Sequence, residues 1–248
     1  MRPSTRRGLA IAGLVALACF ATACSTSRIS SIVALGDSVP RGSNCDCRPY
    51  PELTADDLAA SGVRSVTATN DAVGGATSAD VLDQLESDGT AIDHVRNAGA
   101  IEIEIGANDV GYSKSCGTAV DCYTPRLPSV EKNLAAIVAR VRELTSGHQV
   151  AVILVDYWSV WLGGKYAAAK GPAYVSAAEE LTDRVDAVIR ATAAESGSYY
   201  VDLRAAFKGP DYDYDETHFL SSDGDHPNAA GHEQIAKAVE AVIGSASR

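Results

Sequence analysis

The chain is short of positive charge. Its 248 residues carry 21 lysines and arginines against 32 aspartates and glutamates, a formal net charge of −11. Phosphate backbones are held by a positive face, so a nucleic-acid partner is excluded, and the acidic balance reads as solubility rather than as a function. No internal repeat, low-complexity tract or long run of like charge is present, so one domain with one core is the default. Long apolar runs are missing too. The single candidate, Leu9 to Ala21, is too short to span a bilayer comfortably.

That short run has a different reading. It follows Arg2, Arg6 and Arg7 with no acid among them and ends in Ala21-Thr22-Ala23, the form of an export signal with a small-residue cleavage site. The stretch Thr5-Arg6-Arg7-Gly8-Leu9 also fits a twin-arginine signal. Cys24, followed by Ser25-Thr26-Ser27, resembles the lipid-modified cysteine of bacterial lipoproteins, although Ala21 stands where that signal prefers leucine. The expected organisation is an export signal over 1–23, a tether over 24–30 and one domain over 31–248. Membrane attachment would come through lipid on Cys24, and a monomer is expected.

Cleavage before Cys24 leaves five of the six cysteines, an odd count. Lipid on Cys24 would account for the odd one, leaving Cys45, Cys47, Cys116 and Cys122 for two disulfides in an oxidising exterior. Cys116 with Cys122 is the easiest local pair. It leaves Cys45 with Cys47 to close a very tight ring, so pairing between the two loops stays open. As metal ligands the cysteines lack a well-placed second pair, and no metal is expected.

Apolar stretches at Ile29 to Leu35, Val63 to Ala68, Ala100 to Ile105, Gln149 to Val155 and Ser198 to Leu203 read as strands. Helical patterns lie at Pro51 to Ala60, Ser78 to Leu85, Ser129 to Leu144, Ala173 to Ala194 and Ala229 to Ile243. Strands alternating with such helices predict an α/β fold in three layers, a parallel sheet covered on both faces. Glu102 and Glu104 are out of place in a doubly covered strand. They lie upstream of its carboxyl end, and the expectation is that they pair with arginines of a covering helix or mark a solvated face.

Four short segments carry the chemistry: Gly36-Asp37-Ser38, Asn70 to Ser78, Gly106 to Asp109, and Asp223-Gly224-Asp225-His226. Each follows a predicted strand or precedes the last helix, and ligands of open α/β sheets sit at the carboxyl ends of strands. Ser38 is the candidate nucleophile. A serine hydroxyl needs a base and a group orienting that base; His226 is the candidate base, with Asp223 three residues earlier as its partner. Asp225 is nearer in sequence, but an adjacent side chain usually points away. Oxyanion donors would be the Ser38 N–H, the Gly75 N–H and the Asn108 amide, with Gly74 an alternative to Gly75. Asp37 would fix the nucleophile turn, and Asn70 and Asp109 would anchor their loops. His232 suits a local structural bond, His218 the surface, and His94 and His148 have no motif around them.

The order GDS, N-x-x-x-G-G-A-T, GxND and D-x-x-H, the last running into Pro227-Asn228-Ala229-Ala230-Gly231-His232, resembles the SGNH hydrolases, or GDSL-type esterases and lipases. The resemblance spans Ile32 to about Ile243. It implies Ser38 as nucleophile, His226 and Asp223 as base and acid, Ser38, Gly75 and Asn108 as the oxyanion hole, a five-stranded flavodoxin-like sheet and no cofactor. Val39 replaces the leucine of the name motif. The cysteines with Arg48-Pro49-Tyr50-Pro51 resemble the secreted actinobacterial branch. Near the site, Tyr112, Trp158 and Trp161 would line an acyl pocket, stack on a sugar, or simply cover the sheet edge. The resemblance implies ester hydrolysis; the expected substrate is a short- or medium-chain acyl ester, with a glycan deacetylase or acyltransferase second and a non-catalytic envelope lipoprotein third.

Overall fold

The first strand lies inside the sheet, one place from its edge. In the computed structural model, which describes residues 29–61 and 65–246, β1 (Ser31–Gly36) pairs with β2 (Thr67–Asn70) on one side and β3 (Ala100–Glu104) on the other. β4 (Ala151–Val155) and β5 (Tyr199–Val201) complete five strands, all parallel, in the order β2-β1-β3-β4-β5. This is the flavodoxin-like order, with a switch point between β1 and β3 where a ligand crevice opens. The export signal, Cys24 and the tether before Ile29 lie outside the described residues.

Helices cover both faces. α1 (Ser38–Arg41) is one turn, and α2 (Tyr50–Ala60) packs on α9 (Ala229–Ala246) on one face. On the other face α3 (Ser78–Ser87) and α4 (Gly89–Arg96) adjoin α5 (Leu127–Leu144), which packs on α7 (Pro172–Ser196). Short α6 (Gly164–Ala168) and α8 (Leu203–Lys208) lie in the connections. β1, β3 and β4 are buried almost throughout, which explains the continuous apolar runs of β1 and β4, whereas β3 alternates isoleucine with Glu102 and Glu104. β2 sits at the sheet edge and is half-exposed, so its pattern Thr67 to Asn70 carries no apolar signature; Ser65 and Val66 of the predicted run precede the strand, and Val63 and Arg64 lie outside the described residues. α4 was hidden because Asp88, which ends α3, also caps α4 by accepting from the N–H groups of Thr90 and Ala91.

The expectation for Glu102 and Glu104 is overturned. Both are fully buried, and among the described residues neither meets an arginine and none of their carboxyl oxygens has a hydrogen-bond partner. The Tyr50 hydroxyl lies beside Glu104 but falls short of hydrogen-bond geometry. Burial pushes Glu102 up to about 8 and Glu104 well above the carboxylate range, so both fold as neutral acids.

Candidate active site

The turn after β1 is built for close approach. A Cβ on Gly36 (φ 142°) would lie 2.1 Å from the Glu104 carbonyl oxygen, so only glycine lets β1 end against β3 here. Asp37 then caps α1: its side chain accepts from the Val39 N–H at 3.0 Å and from the Tyr157 hydroxyl at 2.6 Å. Burial raises the Asp37 carboxyl to about 6, opposed by those two bonds and by nearby His226. Ser38 follows as the first residue of α1, with an N–H that has no intrahelical partner.

The second segment is anchored from both sides. Asn70 Nδ2 donates to the Pro40 carbonyl at 2.7 Å and its Oδ1 accepts from the Ala72 N–H at 3.2 Å, tying the loop to the nucleophile turn. Gly75 has φ 82° and open space around a built Cβ, so its glycine is required by backbone conformation rather than by crowding. Gly74 lacks that positive φ. Asp109 accepts from the N–H and hydroxyl of Ser78 at 2.9 and 2.7 Å, joining the second segment to the third. Asn108 Nδ2 donates to the Ala76 carbonyl at 3.0 Å, which orients the amide and leaves its other N–H for a ligand.

In the fourth segment Asp223 Oδ2 lies 2.7 Å from His226 Nδ1. Asp223 Oδ1 accepts the N–H groups of Asp225 and His226 at 3.1 and 3.2 Å, and Asn44 Nδ2 donates to Oδ2 at 2.7 Å. Burial would raise the Asp223 carboxyl, but these bonds outweigh it and hold the group below the ordinary aspartate value. Asp225 instead lines the neighbouring cavity.

That cavity, of about 450 Å³, is bordered by Asp37, Ser38, Asn108, Tyr112, Trp161 and Asp225 among others. Trp158 also lines it, with its ring stacked on Phe207 at 4.6 Å. Trp161 donates through Nε1 to the Val110 carbonyl at 2.9 Å and meets the Tyr112 ring edge-on at 5.1 Å. Tyr112 is 47% exposed, whereas both tryptophans are buried. His226 is absent from the cavity wall but close enough to Asp37 to favour its ionised form. Gly75 lines a separate depression with Val73 and Asp80.

Among the described residues, Cys45, Cys47 and His232 bring metal-type ligand atoms within 4.8 Å of one another. They make a poor metal site, because the two sulfurs are joined and His232 Nδ1 accepts the Tyr50 N–H at 3.2 Å. The sulfurs of Cys116 and Cys122 are likewise joined, so the structure pairs the cysteines locally, with Cα separations of 5.0 and 5.7 Å, rather than across loops.

The family model of GDSL-like lipases and acylhydrolases matches residues 34–234, a span that contains all four segments. The chain belongs to that family. As a GDSL-like hydrolase it is a serine ester hydrolase. Solved structures share its fold at low identity. The lipase Lip_vut3 from a goat rumen metagenome is 18% identical, with 86% of this chain and 96% of that one covered and a TM-score of 0.66. An acetylxylan esterase from Geobacillus stearothermophilus is 21% identical, with 87% and 94% covered and a TM-score of 0.62. LAE5, an alpha/beta hydrolase enzyme from the metagenome of Lake Arreo in Spain, is 23% identical, with 87% and 95% covered and a TM-score of 0.60. A comparison with curated proteins returns no significant match.

Two contributors to this GDSL-like hydrolase site escape a reading of the sequence. Tyr157 stands in the aromatic loop after β4 without any mark that its hydroxyl would reach Asp37. Asn44 sits in a polar turn that belongs to none of the four segments.

Proposed function

We propose that the protein is an exported esterase that cleaves short- or medium-chain carboxylic esters through an acyl-enzyme on Ser38. The observation that carries this is the 2.7 Å contact between His226 Nδ1 and Asp223 Oδ2, in a site whose cavity Ser38 and Asn108 border. With Nδ1–H held by the carboxylate, Nε2 is the free base. It takes the Ser38 proton as Oγ bonds to the ester carbonyl carbon, and the carbonyl electrons move to oxygen. The N–H groups of Ser38 and Gly75 and the Asn108 amide stabilise that anion, a contribution of about 3 kcal/mol for one such donor. Collapse expels the alcohol, protonated by His226, and water then repeats the sequence to release the acid. Asp37, pinned by Tyr157, fixes the turn that presents Oγ.

Three further points belong to this reading: export through residues 1–23, lipid on Cys24, and disulfides Cys45–Cys47 and Cys116–Cys122 formed outside the reducing cytosol. The exposed ring of Tyr112 at the cavity favours a second substrate, an acylated glycan of the cell envelope, since an aromatic face stacks on a sugar. Initial rates on p-nitrophenyl esters of graded acyl length, beside acetylated oligosaccharides, test both. The reading expects the highest kcat/KM on short or medium esters, abolished in Ser38→Ala. Preference for acetylated sugars would select the second substrate, and inertness toward every ester would overturn both.

A further inference from the structure

One side chain outside the four segments reaches the acid of the site. Asn44 Nδ2 lies 2.7 Å from Asp223 Oδ2 and 3.2 Å from His226 Nδ1, although Asn44 and Asp223 are 179 residues apart in sequence. The amide orientation follows from its neighbour. An ionised carboxylate only accepts, so the NH₂ end and not the carbonyl must face it. His226 Nδ1 donates to the same oxygen and cannot also accept from Asn44. Two donors therefore converge on Oδ2, while Oδ1 takes the N–H groups of Asp225 and His226. With both oxygens doubly held, the plane of the carboxylate is fixed. Without Asn44, Oδ2 would be held only by the imidazole, the partner it has to orient.

Asn44 is itself held in place. It has φ 58°, a left-handed conformation that asparagine tolerates better than most residues. Asp46 shares that conformation at φ 50°, and the joined sulfurs of Cys45 and Cys47 close the turn between them.

We propose that Asn44 is a positioning residue of this hydrolase, fixing the Asp223 carboxylate and moderating its pull on the His226 ring. The inference rests on the reading of Ser38, His226 and Asp223 as the working triad. A carboxylate oxygen that shares its charge with an amide donor attracts an imidazolium less strongly. The ring is also faced by the Asp37 and Asp225 carboxyls and by the His232 imidazole, which both variants leave in place; against that fixed background, loss of the donor stabilises the protonated ring, so the base is consumed at higher pH, and it loosens the ring's orientation.

Two variants separate positioning from folding. Asn44→Gly removes the amide and accepts the positive φ; Asn44→Asp keeps the shape but replaces the donor with a second carboxylate. The measurement is kcat and KM for p-nitrophenyl acetate across pH, with thermal melts to confirm folding. Expected are a kcat about tenfold lower with KM little changed, and an acid limb of kcat/KM moved up by about half a pH unit in Asn44→Gly and further in Asn44→Asp. Wild-type kcat and an unmoved limb in both variants would overturn the proposal, and so would a lower kcat with an unmoved limb. Labelling of wild-type Ser38 by a fluorophosphonate distinguishes the two levels. If Ser38 labels and the limb stays put, only the Asn44 inference fails; if wild-type Ser38 never labels, the triad reading fails and takes the inference with it.

Discussion

Replacing Glu102 by glutamine should stabilise the protein at pH 7 and leave its stability nearly unchanged near pH 4. Glu102 is fully buried in β3 without a hydrogen-bond partner among the described residues, and burial moves its carboxyl from 4.5 to about 8. Below 4.5 it is protonated in both folded and unfolded chains. Between 4.5 and about 8 the unfolded chain releases the proton while the folded chain keeps it, so the native state binds more protons and stability falls as pH rises. The slope for one such group is about 1.4 kcal/mol per pH unit, which over the interval from 4.5 to 7 amounts to about 3 kcal/mol. Glutamine is similar in shape and does not titrate, so this loss disappears in Glu102→Gln. Its unpartnered amide replaces an equally unpartnered neutral carboxyl, and those two costs largely offset. Urea unfolding of both proteins at several pH values between 4 and 9 reads the difference directly. The stability gain should grow with pH at about the stated slope and stop growing near pH 8. A difference that stays constant with pH would refute the reasoning, because it would mean that Glu102 is ionised in the folded protein.

At the site, Ser38→Ala or His226→Ala should lower kcat by several orders of magnitude in an ester-hydrolysis assay, and Asn108→Ala by about a hundredfold or more. Asp223→Ala should cost more than Asp225→Ala under the same conditions; the reverse order would show that the wrong carboxylate has been paired with His226. Tyr157→Phe removes a hydroxyl that donates to Asp37, so the carboxyl should rise above its present value near 6. At pH 6 to 7 a larger share of Asp37 is then protonated and its cap on α1 weakens, which should lower kcat most toward the acidic end of that range, as a pH–rate series would record.

Much of this arrangement is legible from residue order because it depends on buried, continuous segments. β1 and β4 announce themselves as apolar runs and β3 by its alternating isoleucines, and reactive segments follow β1 and β3 where a parallel sheet opens its crevice. Legibility fails where burial and local pattern part company. β2 is an edge strand of threonine and asparagine, and α4 starts on the residue that ends α3. Glu102 and Glu104 read as charges paired with arginines or facing solvent, because a sequence cannot show that a carboxyl is buried deeply enough to stay neutral. Asn44 and Tyr157 act across long sequence separations, through contacts that exist only once the sheet has brought their loops together.

The central claim is that Ser38 is a nucleophile activated by His226 and held to its task by Asp223. Mass-spectrometric mapping of the protein after reaction with a fluorophosphonate tests this most directly, with wild type, His226→Ala and Ser38→Ala treated in parallel. The account predicts one adduct on Ser38 in the wild type, far slower labelling in His226→Ala and none in Ser38→Ala. An unlabelled Ser38 in folded wild-type protein, or equal labelling of Ser38 with and without His226, would contradict it.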